Sequence, residues 1–270
     1  MPETSAPATP ATGPGPRPHP SHRLLAGRTV LVTAAAGTGI GYAAALRCVE
    51  EGARVAISDR HERRLAEAAD RLAESGAERP LAIPCDVTSE ADVQRMFDTV
   101  IAEYGHLDVA VNNAGLGGQS PLVEMTDEQW GSVLDVTLNG TFRCTRAALR
   151  HMIPRGTGAV VNNASVIGWR AQAGQAHYAA AKAGVMALTR CAAVEAGPHG
   201  VRVNAVSPSI AMHPHLAKVS SPGLLAELSA REAFGRAAEP WEVADVIVFL
   251  ASDYSSYMTG EIVSVSSQHP

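Results

Sequence analysis

None of the four cysteines, Cys48, Cys85, Cys144 and Cys191, stands in a C-x-x-C pair. That removes the usual thiol metal clip and redox motif, and predicts reduced, mostly buried thiols in a cytosolic protein. No uninterrupted apolar stretch approaches the roughly 18 residues that a membrane span needs. The run Val246 to Ala251 is far shorter and reads as a core helix segment. An excess of positive charge is missing too. The formal net charge of −5 gives no electrostatic reason for nucleic acid or an anionic membrane as partner. Arg143, Arg146 and Arg150 fall on one expected helix, where they read as a solvated or interface face. Residues 1–22 are rich in Pro, Ala and Thr but lack a basic n-region and an apolar h-region. They predict a disordered leader, taken as residues 1–23, rather than a signal peptide, and a protein that stays in the cytoplasm.

What is present is a rhythm. From Leu24 onward, short β-branched runs alternate with longer helical patterns, which predicts one α/β domain over 24–270 with a parallel sheet wound by βαβ units. Strands are expected at Thr29–Thr33, Arg54–Ser58, Leu81–Pro84, Leu107–Val111, Ala159–Asn163, Arg202–Val206 and Ile262–Val265. Helices are expected at Ile40–Glu51, Glu62–Glu74, Glu90–Tyr104, Asp127–His151, Ala176–Gly197 and Pro240–Ser252, with Gly52 and Gly105 as stops. The segment 207–235, with Pro208, Pro214, Pro222 and Gly223, breaks the rhythm and reads as a substrate lid.

After the first strand comes Thr33-Ala34-Ala35-Ala36-Gly37-Thr38-Gly39-Ile40-Gly41 and then a helix. Glycines let a backbone approach a pyrophosphate, whose charge the following helix N-terminus meets with its N–H groups and dipole. In its strand–loop–helix context the motif predicts a dinucleotide site. Asp59 ends the second strand, where a carboxylate can accept bonds from ribose hydroxyls and repel a 2′-phosphate. Arg60 beside it could instead pair with that phosphate. NAD is favoured, and NADP stays open.

Tyr178-Ala-Ala-Ala-Lys182 places a phenol and an ammonium on one helix face, and a cation near a phenol lowers its pKa toward physiological proton transfer. Ser165 lies upstream at the end of the fifth strand, where a hydroxyl can enter the cleft. With Asp86-Val87, Asn112-Asn113-Ala114-Gly115 and the Pro208 segment, these motifs resemble the short-chain dehydrogenase/reductase superfamily from about Leu24 to Ser267. The resemblance implies a doubly wound Rossmann sheet of about seven strands with helices on both faces. It implies Tyr178 as proton donor or acceptor and Ser165 as the group orienting the carbonyl. Lys182 would bind the nicotinamide ribose and lower the Tyr178 pKa. It implies that Thr33, Gly37, Gly39, Ile40, Gly41, Asp59 and Arg60 border the cofactor. Asp86-Val87 would hold the adenine end, and Asn113 the adenine-side ribose. Matching helices in that family pack between subunits, so Asp127–His151 and Ala176–Gly197 predict a homotetramer, with a dimer second.

This chain departs from the family pattern at several places. The usual Thr-Gly start is Thr33-Ala34, and the loop carries one extra residue before Gly39. The fourth catalytic position, usually Asn, is Thr137 in Thr137-Leu138-Asn139-Gly140, and Thr137 is expected to keep a water relay partly through its backbone carbonyl. Pro208-Ser209, His213 and Ser266-Ser267 replace further family residues. No metal is expected: His213 and His215 lack a completing Cys, Asp or Glu. His177 reads as pocket wall and Trp169 as either packing or substrate border.

A regulatory protein that merely senses the cofactor would be expected to lose Tyr178 or Lys182. Epimerising or dehydrating relatives carry a larger substrate domain than fits here. Two substrate readings compete for a small-molecule secondary alcohol or ketone. One is fatty-acid-type 3-oxoacyl thioester reduction. The other rests on Asn162-Asn163-Ala164-Ser165-Val166-Ile167-Gly168-Trp169-Arg170 and the ending Val263 to Pro270, which resemble actinobacterial enzymes that oxidise ring-hydroxylated CoA thioesters in sterol breakdown. Arg170, Lys218 and His213 are candidates to hold CoA phosphates, against the plainer reading of scattered surface charges.

Overall fold

The computed structural model describes residues 20–75, 78–212 and 222–267. Seven parallel strands form one sheet: β1 (Thr29–Thr33), β2 (Arg54–Asp59), β3 (Leu81–Pro84), β4 (Val109–Asn112), β5 (Gly158–Asn163), β6 (Val201–Pro208) and β7 (Ile262–Val265). Their order is β3-β2-β1-β4-β5-β6-β7, so the winding direction reverses between β1 and β4.

Period-2 patterning explains the two layers. Val30, Val32, Val55, Ile57, Val109, Val111 and Val161 face a core shared with α1 (Ile40–Glu50), α2 (Glu62–Ala73) and a late helix at Pro240–Ala251. Leu31, Ala56, Ala110 and Val160 face the other core, with α3 (Glu90–Tyr104) and the helices at Gly140–Arg155 and Ala176–Ala196. Phe97, Leu65 and Leu72 are fully buried, and truncating such a leucine to alanine costs about 2–5 kcal/mol. Ser89 caps α3 by accepting from Asp92 N–H at 3.2 Å, and Gly105, the stop the sequence predicts, ends it at φ 81°.

Several elements differ from expectation by more than an end residue. β4 begins at Val109, because the Asp108 carboxylate accepts the Thr29 N–H at 2.9 Å ahead of the ladder. β6 runs on to Pro208, where it pairs with Val265 of β7. The single helix expected over Asp127–His151 is instead α4 (Asp127–Leu134), a π-helical turn (Asp135–Asn139) and α5 (Gly140–Arg155). The 207–235 segment contains a helix, α7 (Pro222–Arg231). It follows α6 (Ala176–Ala196) in the chain and precedes α8 (Pro240–Ala251). His213, Lys218, Pro214 and residues 1–19 lie outside the described residues. Residues 20–24 run against α1: the buried Glu51 carboxylate accepts from His22 N–H at 3.0 Å and Leu24 N–H at 2.8 Å.

Candidate active site

The strand ends at the β1/β4 reversal open a crevice, and the glycine-rich loop borders it. Gly39 precedes α1 with no side-chain cap, and the first turn holds no acidic residue. The first N–H groups of α1 are thus left for an anion. Gly41 is mandatory: a Cβ there would collide with the Ala34 carbonyl and the Asn113 amide. Around Gly37, by contrast, the nearest atom to such a Cβ is Gly39 N at 3.9 Å, so the loop leaves open space. Ala34 holds φ 53°, left-handed backbone that favours glycine. The Thr33 hydroxyl, buried, accepts from the Asn113 and Ala114 N–H groups at 2.9 and 3.2 Å and ties β1 to β4.

Asp59 ends β2 beside this loop. Its carboxylate accepts from His61 N–H at 3.0 Å and from Ala36 N–H. Burial holds its pKa above the usual carboxylate value, against those N–H bonds and the nearby Arg64 and Arg60 guanidinium groups. Arg60 itself is exposed. Asp86 accepts from the Thr88 N–H and hydroxyl at 2.9 and 2.8 Å, and the Val87 carbonyl accepts from Arg143 at 3.2 Å. These groups fit a nicotinamide dinucleotide: bare helix N–H groups for its pyrophosphate and a partly exposed carboxylate at the ribose end. Asn113 is different. Its amide donates to the Thr33 and Ala34 carbonyls at 3.2 Å each, so its side chain braces the loop.

Ser165 follows β5 and bonds to the Tyr178 phenol, while its oxygen also accepts from Ile167 N–H at 3.3 Å. Tyr178 and Lys182 share one face of α6, with the Lys182 nitrogen 5.5 Å from the Tyr178 ring centre. The structure brings all three together. The electrostatics correct the sequence argument. Burial pushes the Tyr178 pKa up to about 12, opposed by the Ser165 bond. The Lys182 ammonium turns to the Asn163 carbonyl, and burial lowers its pKa to about 8. Both groups are desolvated, and burial sets the direction of both shifts.

Thr137 sits fully buried in the π-helical turn. Its hydroxyl accepts from Leu116 N–H at 2.9 Å and donates to Leu116 O at 3.0 Å, and its carbonyl accepts from Thr141 at 2.7 Å. The Thr137 hydroxyl therefore holds the Leu116 backbone in the loop at 115–118, while its carbonyl is taken by the Thr141 hydroxyl one helical turn on. That loop lies against the face that carries Tyr178 and Lys182. A Cβ on Gly115 would lie 3.6 Å from Lys182 Nζ, one on Gly117 3.9 Å from the Tyr178 ring, and one on Gly118 3.2 Å from His177 Nε2. His177 is buried, with Nδ1 accepting from Tyr178 N–H at 2.9 Å, and Trp169 is exposed beyond Ser165.

Sequence reasoning missed Arg71. From α2 it stacks on Tyr42 at 4.3 Å and donates to Gly37 O at 3.1 Å, latching the glycine loop from outside. No local signal marks it among the other charges of α2. Cys48 and Cys85 are pushed up to about 12 by burial, as expected of inert thiols. Among the described residues no helix is long and apolar enough to cross a membrane.

A family model described as enoyl-(acyl carrier protein) reductase matches residues 34–267. The chain is 63% identical over 251 residues to the (5R,7aS)-5-hydroxy-7a-methyl-1-oxo-2,3,5,6,7,7a-hexahydro-1H-indene-carboxyl-CoA reductase of Mycobacterium tuberculosis, covering 92% of this chain and 95% of that one. It is 43% identical to the cis-4-hydroxycyclohexanecarboxylate dehydrogenase of Sinomonas cyclohexanicum, over 89% and 96% of the two chains. The crystal structure of a short chain dehydrogenase from Mycobacterium smegmatis superposes with a TM-score of 0.85 at 58% identity, covering 95% of this chain and 99% of that one.

Proposed function

Because the chain belongs to the short-chain dehydrogenase/reductase family of oxidoreductases, we propose that it interconverts a ring secondary alcohol and a ketone on a carboxyl-CoA thioester of steroid breakdown, with NAD favoured over NADP. The observation that carries the reaction is the Ser165–Tyr178–Lys182 cluster beside the glycine loop. The substrate class is supported by the two relatives, whose names both give a hydroxylated ring bearing a carboxyl group. That pattern favours the ring alcohol over the fatty-acid-type 3-oxoacyl substrate.

When bound in this crevice, a nicotinamide dinucleotide would supply or accept the hydride. Tyr178 gives its phenol proton to the carbonyl oxygen during reduction and takes one back during oxidation. Its high pKa keeps it protonated at neutral pH, ready for the reductive direction. Ser165, already bonded to the phenol, orients the same oxygen. Lys182 holds the nicotinamide ribose and offers positive charge to a forming phenolate. Gly37, Gly39, Ile40 and Gly41 would hold the pyrophosphate, Asp59 the adenosine ribose, and Asp86-Val87 the adenine. An ionised Asp59 repels a 2′-phosphate, which supports NAD, although Arg60 and Arg64 lie close. Arg170, half-buried on the turn after Ser165, is our candidate to hold CoA phosphates. We place the enzyme in the cytoplasm as a homotetramer.

The test is turnover of ring-hydroxylated and 3-hydroxyacyl CoA thioesters with each cofactor, by the natural enzyme and by Tyr178→Phe. Ring substrates with NAD should give the highest kcat/KM, and the variant should lose about two to four orders of magnitude. Preference for linear 3-oxoacyl thioesters, or full turnover without the phenol, would sink the reading.

A further inference from the structure

Two facing asparagines connect the proton-transfer site to the glycine loop, and their orientations are forced. The Asn113 amide nitrogen lies on the carbonyls of Thr33 and Ala34, which can only accept, so that nitrogen must donate and Oδ1 must face away. Oδ1 accepts from Asn163 Nδ2 at 2.9 Å. This in turn fixes Asn163, whose own Oδ1 is left buried without a partner among the described residues. An apolar side chain would have avoided that orphan, which argues that the donor end is what the position needs. The backbone oxygen of the same residue receives the Lys182 ammonium.

Asn163 is the last residue of β5, two before Ser165. Its main chain thus holds the catalytic lysine and its side chain holds the brace on Ala34, the residue at φ 53°. Gly41 leaves no slack there, since any Cβ would strike both the Ala34 carbonyl and Asn113. We propose that Asn163 is a positioning residue that sets the pyrophosphate loop and the Lys182 ammonium in one register. The proposal rests on the reading of the loop as the dinucleotide site.

Asn163→Ala removes the donor to Asn113 but keeps the carbonyl that holds Lys182. Tryptophan-fluorescence titration should show the NAD Kd rising about tenfold, the scale of one buried hydrogen bond, with kcat at saturating NAD falling by less. Hydrogen exchange of residues 34–41 in ligand-free protein should speed up. Asn163→Ser, with a shorter donor, should lie between, and it carries the same comparison if the alanine variant does not fold. A lowered melting temperature with unchanged NAD Kd and unchanged exchange would overturn the proposal, as would a kcat loss larger than the Kd change. If the natural enzyme bound neither NAD nor NADP, the dinucleotide reading would fall, while the exchange measurement would still decide whether Asn163 braces the loop.

Discussion

Ala34 stands where the family pattern has glycine, and its φ of 53° shows the consequence. An L-residue there carries strain of about 1 kcal/mol, relieved only by losing its Cβ. Ala34→Gly should therefore raise the melting temperature by about 2–4 °C. A lower melting point would mean that glycine's extra unfolded-state freedom outweighs the strain. Lys182 poses the opposite trade. Its folded pKa of about 8 lies below the ordinary 10.5, so between those values the unfolded chain binds a proton that the folded one does not. Stability from this group rises with pH across that window, and its full penalty applies below pH 8. Lys182→Met should abolish turnover yet stabilise the ligand-free protein at pH 7 by about 1 kcal/mol, a discounted figure because the Asn163 carbonyl loses its donor. Chemical denaturation at pH 7 and pH 10 checks it: the gain should shrink at the higher pH, and a gain that grew would be incompatible with a depressed pKa. At this scale the sequence revealed which groups meet in the proposed site, because Tyr178 and Lys182 are local neighbours on one helix. It could not reveal their pKa values, since burial is set by residues as distant as the glycines at 115–118.

The glycine loop is an element held from two sides, by Asn113 within the fold and by Arg71 outside it. Its strand–loop–helix signature was legible because each part is contiguous in sequence. The braces were not, since Asn113 and Arg71 come from β4's end and α2. The π-helical turn was hidden for a similar reason. One extra residue per turn does not disturb the apolar pattern of 127–151, and Gly140 signals the fit only once Val87 is seen within 2.7 Å of its missing Cβ. Thr137 was found by its motif position, but its use in holding Leu116 depends on that turn. Arg71→Ala should raise the NAD Kd about three- to fivefold, measured by calorimetric titration at low salt. The stacked guanidinium is exposed and worth little more. A change confined to the melting temperature would reduce Arg71 to a surface contact.

At the scale of the whole molecule, apolar groups remain uncovered on both faces of the sheet. Trp130 and Phe142 are exposed on α4 and α5, with Leu122 and Val123 just before them. On the opposite side Phe249 of α8 is exposed, and Tyr254 and Tyr257 lie between α8 and the edge strand β7. A lone chain would leave both patches and an open strand edge in water. One self-complementary contact covers one patch by a two-fold axis. Two patches on opposite layers need two axes, and two perpendicular two-folds generate a tetramer. Light scattering of the natural protein at micromolar concentration should therefore give four chains. Tyr257→Arg should give two, because it spoils the α8 side alone, and Trp130→Arg should halve the assembly through the other axis. A monomeric natural protein would end the argument. A tetramer that survived both substitutions would place the contacts elsewhere on the surface.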